Sequence, residues 1–203
     1  LPALKVIKRT TSPLLFARKM MNRRRYCSVI GNECARWVHR AHFYPMADQW
    51  SSSFEMIGTF HNHLDKSVQK HFRVKPYPSS QGWNTKSRYV DLLGEAKVYK
   101  VGSLDKVFAM SRVIVCSYPE TTFSEAMATG TPTLLVYPEH LYELNPVAGP
   151  LMRILREAKI VFNDPLEAAR HLNEIWEDPS QWWESDRVCV ARKEFLKQAL
   201  CLD

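Results

Sequence analysis

The sequence predicts an α/β fold, a Rossmann-like parallel sheet with helices on both faces. Three observations carry this. Short apolar runs recur at 71–74, 98–101, 113–116, 133–137 and 160–162, each short enough and apolar enough to be a buried strand. The stretches between most of them place apolar residues at helical spacing. Strands and helices alternating in this way build βαβ units, hence a doubly wound parallel sheet.

The elements follow in chain order. Tyr26–Ile30 adds a sixth strand at the sheet edge. Ser52 and Glu55 form a capping-box pair ahead of Phe54, Ile57, Phe60, Leu64 and Val68, which share a helix face. Pro76 and Pro78 punctuate the segment after the 71–74 strand. Ser103 caps a brief helix carrying Leu104, Val107 and Phe108. Val113–Cys116 is the most β-branched run, which predicts a central strand. Thr122 and Glu125 form a second capping box, and Gly130 with Pro132 stops the helix that follows. Val147, Leu151, Ile154, Leu155 and Ala158 lie on one side of an amphipathic helix. Asp164-Pro165 with Glu167 supplies an N-cap, a first-turn proline and a capping partner for a helix bearing Leu166, Ala169, Leu172 and Trp176. Asp178-Pro179 opens a last, Trp-rich helical region.

Composition bounds the function. The chain has 203 residues, 45% hydrophobic and 24% charged, values of a globular protein and not of a disordered one. No run of eighteen apolar residues exists, and no apolar signal-peptide core stands near residue 1, so the expected location is cytoplasmic, extending to the inner face of the membrane. The net charge of +7 is uneven. Residues 1–42 hold ten Lys/Arg against one acid, Glu33, whereas the rest is slightly acidic. The domain expectation is therefore a basic N-terminal segment or linker over 1–50 and a Rossmann-like domain over 51–203. The basic stretch suits an acidic membrane surface, a phosphorylated acceptor or nucleic acid, and reads equally as a solvated arm. Five cysteines without a CxxC pair point to free thiols in a reducing compartment. Walker, GxGxxG, GxSxG and HExxH patterns are absent. Seven glycines are few for an NAD-type fold, and no motif supports specific nucleic-acid binding.

Ligands of open parallel sheets bind beyond the carboxyl ends of the strands, and three polar loops leave strands there. In Ser117–Thr122 the amides and hydroxyls of Thr121 and Thr122 form a natural anion site at a helix start, with Glu125 one turn inside as a hydroxyl acceptor. Taken alone, the same residues read more readily as a plain helix cap. In the Lys75-Pro76-Tyr77-Pro78…Trp83 loop, Lys75 offers a phosphate partner, Tyr77 a hydroxyl or ring, and Trp83 a stacking face. As a bland alternative, this is a rigid turn with an anchored tryptophan. The third loop places His140 between Glu139 and Glu143, either an acid/base group or a surface histidine.

The segment Thr121-Thr122-Phe123-Ser124-Glu125-Ala126-Met127-Ala128-Thr129-Gly130-Thr131-Pro132-Thr133 resembles the donor-binding segment of GT-B glycosyltransferases. Together with the Lys75…Trp83 loop, Glu139–Leu144 and Trp182-Trp183, it resembles transferases of bacterial O-antigen and surface-polysaccharide clusters over residues 48–200. More distantly, it is similar to Kdo- and sialic-acid-transferring enzymes, with Tyr77 where their loop carries histidine. The resemblance implies the C-terminal, donor-binding half of a GT-B enzyme, a glycosyltransferase that takes a nucleotide-sugar and a glycan or lipid-linked acceptor. It implies no metal and no cofactor. Phosphate contact falls to Lys75, Thr121 and Thr122, hydroxyl contact to Glu125, and the side walls to Tyr77 and Glu143. No catalytic base is assigned, because the resemblance puts it in the acceptor half. A nucleotide-sugar epimerase of the same fold, and a non-catalytic module of a polysaccharide-assembly complex, are the rival expectations.

Overall fold

The structure is a computed structural model that describes residues 24–37, 46–100 and 102–200. Five strands form one sheet, every neighbouring pair parallel: β1 (Tyr26–Ile30), β2 (Phe72–Lys75), β3 (Ser111–Cys116), β4 (Thr133–Val136) and β5 (Val161–Phe162), in the order β2-β1-β3-β4-β5. The helices are α1 (Met46–Asn62), α2 (Lys66–Gln69), α3 (Thr85–Leu93), α4 (Leu104–Met110), α5 (Thr121–Ala128), α6 (Gly149–Glu157), α7 (Pro165–Ile175), α8 (Pro179–Trp183) and α9 (Asp186–Leu200).

The two faces of the sheet bury different cores. Val113 and Val115 of β3 point to one, with Val29, Phe72, Leu134, α1 and α7. Ile114 and Cys116 point to the other, with Ile30, Leu135, α5, α6 and α9. Apolar residues on both sides of a strand are what a parallel sheet covered by helices demands, so the continuous run Val113–Cys116 is central as expected.

Four expectations are corrected. Tyr26–Ile30 is not an edge strand: it lies between β2 and β3, with Cys27 and Val29 fully buried. The sheet therefore begins well before residue 51, and the boundary expected at 50/51 does not separate it from a basic arm. The part of that arm over 1–23 lies outside the described residues. Ser52 and Glu55 do not cap a helix, because α1 starts at Met46 and Trp50 extends its buried stripe one turn upstream. Of the expected strand at 98–101, Val98 makes one parallel bridge to Val74 on the outer side of β2, and residue 101 lies outside the described residues. Helix α3 went unforeseen, since Thr85, Tyr89 and Leu93 are its only buried positions.

With Val98 counted as a vestigial third strand, the order in the sheet is 3-2-1-4-5-6, that of doubly wound dinucleotide-binding sheets. The chain leaves β1 toward β2 and Val98, then returns across to β3 and continues the other way. The loops after β1 and β3 thus diverge, and a crevice opens between them at the carboxyl edge.

Candidate functional site

The crevice is tied together at its floor. Ser117, buried just past β3, donates both its amide (3.3 Å) and its hydroxyl (3.0 Å) to the Ile30 carbonyl of β1. The Ser53 hydroxyl of α1 donates to the Ser117 carbonyl at 3.5 Å. Gly31, the first residue after β1, donates to the Lys75 carbonyl at 3.0 Å, and a Cβ there would stand 3.0 Å from the Tyr89 hydroxyl. Glycine lets the chain pass that close without displacing the ring.

One wall is the start of α5. Glu120 occupies the N-cap position, its carbonyl accepts from Phe123 (2.9 Å) and Ser124 (3.4 Å), and no side chain caps the helix. The Thr122 hydroxyl pairs with the Tyr118 hydroxyl at 2.9 Å instead. Both side chains are buried, and burial pushes the Tyr118 pKa up to about 12 while the Thr122 contact pulls it the other way. Thr121 and Glu125 are exposed. The capping-box expectation for Thr122 and Glu125 is therefore corrected: the Thr121 and Thr122 amides have no acceptor among the described residues, and they stand at the positive end of the helix.

The opposite wall is a clasp between the loops after β1 and β2. Glu33, buried, accepts from the Gln81 amide and, at 3.5 Å, from the Ser80 hydroxyl. Arg36 returns its amide to the Gln81 carbonyl (3.0 Å) and its guanidinium to the Gly82 carbonyl (3.3 Å). Trp83 donates its indole N–H to the Cys34 carbonyl at 2.9 Å. Its ring stacks on Trp50 (centroids 4.2 Å, planes 12° apart), and Trp50 stacks on Phe54 (5.3 Å, 15°). Trp83 is thus part of an internal stack, the anchored tryptophan that the sequence offered as the alternative to a stacking face. Lys75 is half-buried and contacts the Pro76 carbonyl at 3.5 Å, with no described carboxylate in ion-pairing range. Burial and, secondarily, Lys86 hold its pKa below the usual lysine range. Tyr77 is 40% exposed and close enough to Tyr118 to help raise that phenol's pKa.

The loop after β4 closes the third side. Glu139 is ion-paired to Arg156, so it is not free for acid/base work, and Gln49 at the start of α1 donates to the Leu141 carbonyl at 2.7 Å. The Tyr142 hydroxyl is buried beside Ser53 and Asn32 at longer than hydrogen-bond geometry, and burial raises its pKa while these two side chains pull it the other way. His140 and Glu143 are exposed. Among the described residues, no group of three His, Cys, Asp or Glu is placed to hold a metal ion, and no helix is long and apolar enough to cross a membrane.

Against known proteins, the model of a transferase family, the LIC12162 family, matches residues 7–201. The chain belongs to the LIC12162 transferase family. No curated protein matches it. Among solved structures it is similar to WaaG, described as a glycosyltransferase involved in lipopolysaccharide biosynthesis, at 10% identity and a TM-score of 0.48 over 95% of the chain. The chain spans about half the length of WaaG, 48%.

In this LIC12162-family transferase, the residues read from the sequence do come to one edge of the sheet, but not as direct neighbours. Thr121, Thr122 and Glu125 sit on α5 after β3, while Lys75 and Tyr77 follow β2, with β1 between. At strand spacings of about 4.8 Å, that separates the two groups by roughly 10 Å. Glu143 lies beyond β4 on the other flank. Sequence reasoning missed the loop Gly31–Trp37, although a buried apolar run followed by Gly31-Asn32 is the same strand-to-loop signal it used elsewhere. It also missed Ser53 and Tyr142, whose positions depend on tertiary packing and leave no local pattern.

Proposed function

We propose that the chain is the donor-binding half of a GT-B, metal-independent glycosyltransferase, taking a nucleotide-sugar and passing the sugar to a surface-polysaccharide or lipid-linked acceptor. The observation that carries this reading is the uncapped first turn of α5, opening at the β1/β3 crevice of a 3-2-1-4-5-6 sheet. Membership of a transferase family and the resemblance of the Thr121–Thr133 segment support it.

As the sugar leaves, negative charge gathers on the nucleotide phosphate. The Thr121 and Thr122 amides, the Thr121 hydroxyl and the helix dipole stabilise it, the dipole by about 0.3–2 kcal/mol. The Thr122 hydroxyl is held by Tyr118, so this residue contributes its amide. Lys75 supplies a cation from across the crevice, where no carboxylate among the described residues neutralises it. Glu125 accepts from ribose or sugar hydroxyls, and Tyr77 and Glu143 bound the site. The acceptor and its catalytic base belong, in this reading, to a second domain.

Titration with CMP, UDP and GDP, followed by thermal unfolding, tests the proposal. A nucleotide at 100 times its Kd adds about 2.7 kcal/mol to the native state, roughly 5–10 °C in Tm for a chain of this size. No shift with any of the three at millimolar concentration would refute it.

A further inference from the structure

Trp37 is 70% exposed in the loop after β1, so its indole contributes little to the core. It is nevertheless held in place. The Arg36 guanidinium lies 4.9 Å from the Trp37 ring centroid and 5.3 Å from that of Trp83. Trp83 stacks on Trp50, and Trp50 on Phe54, within the body of the protein. Arg36 is fixed again by its bonds to Gln81 and Gly82. Gly82, at φ +101°, has the Trp37 indole nitrogen only 3.5 Å from where a Cβ would be. An aromatic ladder thus runs from α1 outward through an arginine and ends on a large indole face turned to solvent.

The ladder belongs to the wall of the crevice opposite α5, where Arg36 bonds to Gln81 and Gly82 and Trp83 bonds to the Cys34 carbonyl, joining the loops after β1 and β2. A rigid exposed indole at the rim of a phosphate-binding crevice, backed by a guanidinium, suits a flat aromatic ring that carries a phosphate tail. We infer that Trp37 is the stacking platform for the nucleobase of the donor, a residue that sets base affinity while the start of α5 holds the phosphates. This rests on the nucleotide-sugar reading of the same crevice.

The test compares wild type, W37A and W37F of the full 203-residue chain by calorimetric titration with CMP, UDP and GDP and with inorganic pyrophosphate, which has phosphates but no ring. W37A should bind the preferred nucleotide about 5- to 100-fold more weakly and pyrophosphate as wild type does, and W37F should recover most of the loss. Equal nucleotide affinity in wild type and W37A, or a parallel fall in pyrophosphate affinity, would overturn the inference while leaving the nucleotide-sugar reading standing. Failure of all three nucleotides to bind wild type would overturn both.

Discussion

The hydroxyls of Tyr118 and Thr122 lie 2.9 Å apart, both side chains buried, one in the loop after β3 and the other in the first turn of α5. The bond fixes the helix start to the loop that leads into it. Thr122→Val keeps the shape and the amide but leaves the Tyr118 hydroxyl without this partner. It should cost about 1–3 kcal/mol in chemical unfolding and change nucleotide affinity less than twofold. A large loss of affinity would return the Thr122 hydroxyl to the phosphate site.

Glu125→Gln separates binding from stability. Glu125 is exposed and caps nothing, so the substitution should shift stability by less than about 0.5 kcal/mol. If its carboxylate accepts from ribose or sugar hydroxyls, the affinity for a nucleotide or its sugar conjugate should fall about tenfold, the difference between a charged and a neutral acceptor. Loss of stability without loss of affinity would assign it a structural role.

His171 gives the fold an acid limit. It is buried against Phe162 and Trp182, and burial, followed by Lys159, lowers its pKa to about 4, with Glu174 acting the other way. A histidine depressed in the native state contributes stability that is complete above its unfolded pKa near 6.5 and is lost as pH falls toward 4. The slope from this group is about 1.4 kcal/mol per pH unit in that window. Unfolding midpoints measured at pH 7, 6 and 5 should fall accordingly, and His171→Leu should flatten the series. An unchanged slope in the variant would place the acid sensitivity elsewhere.

Gly82→Ala strikes the clasp between the β1 and β2 loops. The residue sits at φ +101°, and a Cβ would come within 3.1 Å of the Arg36 Cβ. Strain of this kind costs about 1–3 kcal/mol. Proteolysis should then cut the 76–83 loop faster than in wild type, while hydrogen exchange in β3 and β4 stays as slow. Uniform acceleration would mean that the clasp is part of the global fold.

Legibility followed the range of the interactions. Strand β3 was readable because Val113–Cys116 carries both of its faces in one continuous apolar run, and α7 because Asp164 caps it locally, accepting from the Leu166 amide at 2.8 Å. The place of β1 was not readable, since an interior and an edge strand can share the sequence of Tyr26–Ile30, and only pairing with residues 72–75 and 111–116 decides between them. At the site, Thr121 and Glu125 were visible through the strand–loop–helix pattern. Ser53, Tyr142 and the Arg36–Trp37 pair were not, because each is placed by contacts between segments far apart in sequence. For Trp83 the sequence left a stacking face and an anchored ring both open, because the partner that decides for the anchored ring, Trp50, lies 33 residues upstream.

The interior position of β1 also shapes how the protein is born. Roughly 80 residues separate Ile30 from Ser111, where its second neighbour begins. At ribosomal speeds of about 5–20 residues per second, the nascent Tyr26–Ile30 segment waits on the order of 4–16 s with one edge open. An apolar strand with an unsatisfied edge is a template for mispairing. Stalled nascent chains ending near residue 100 should accordingly engage a holdase chaperone, and chains long enough to have released β3 and β4 should not.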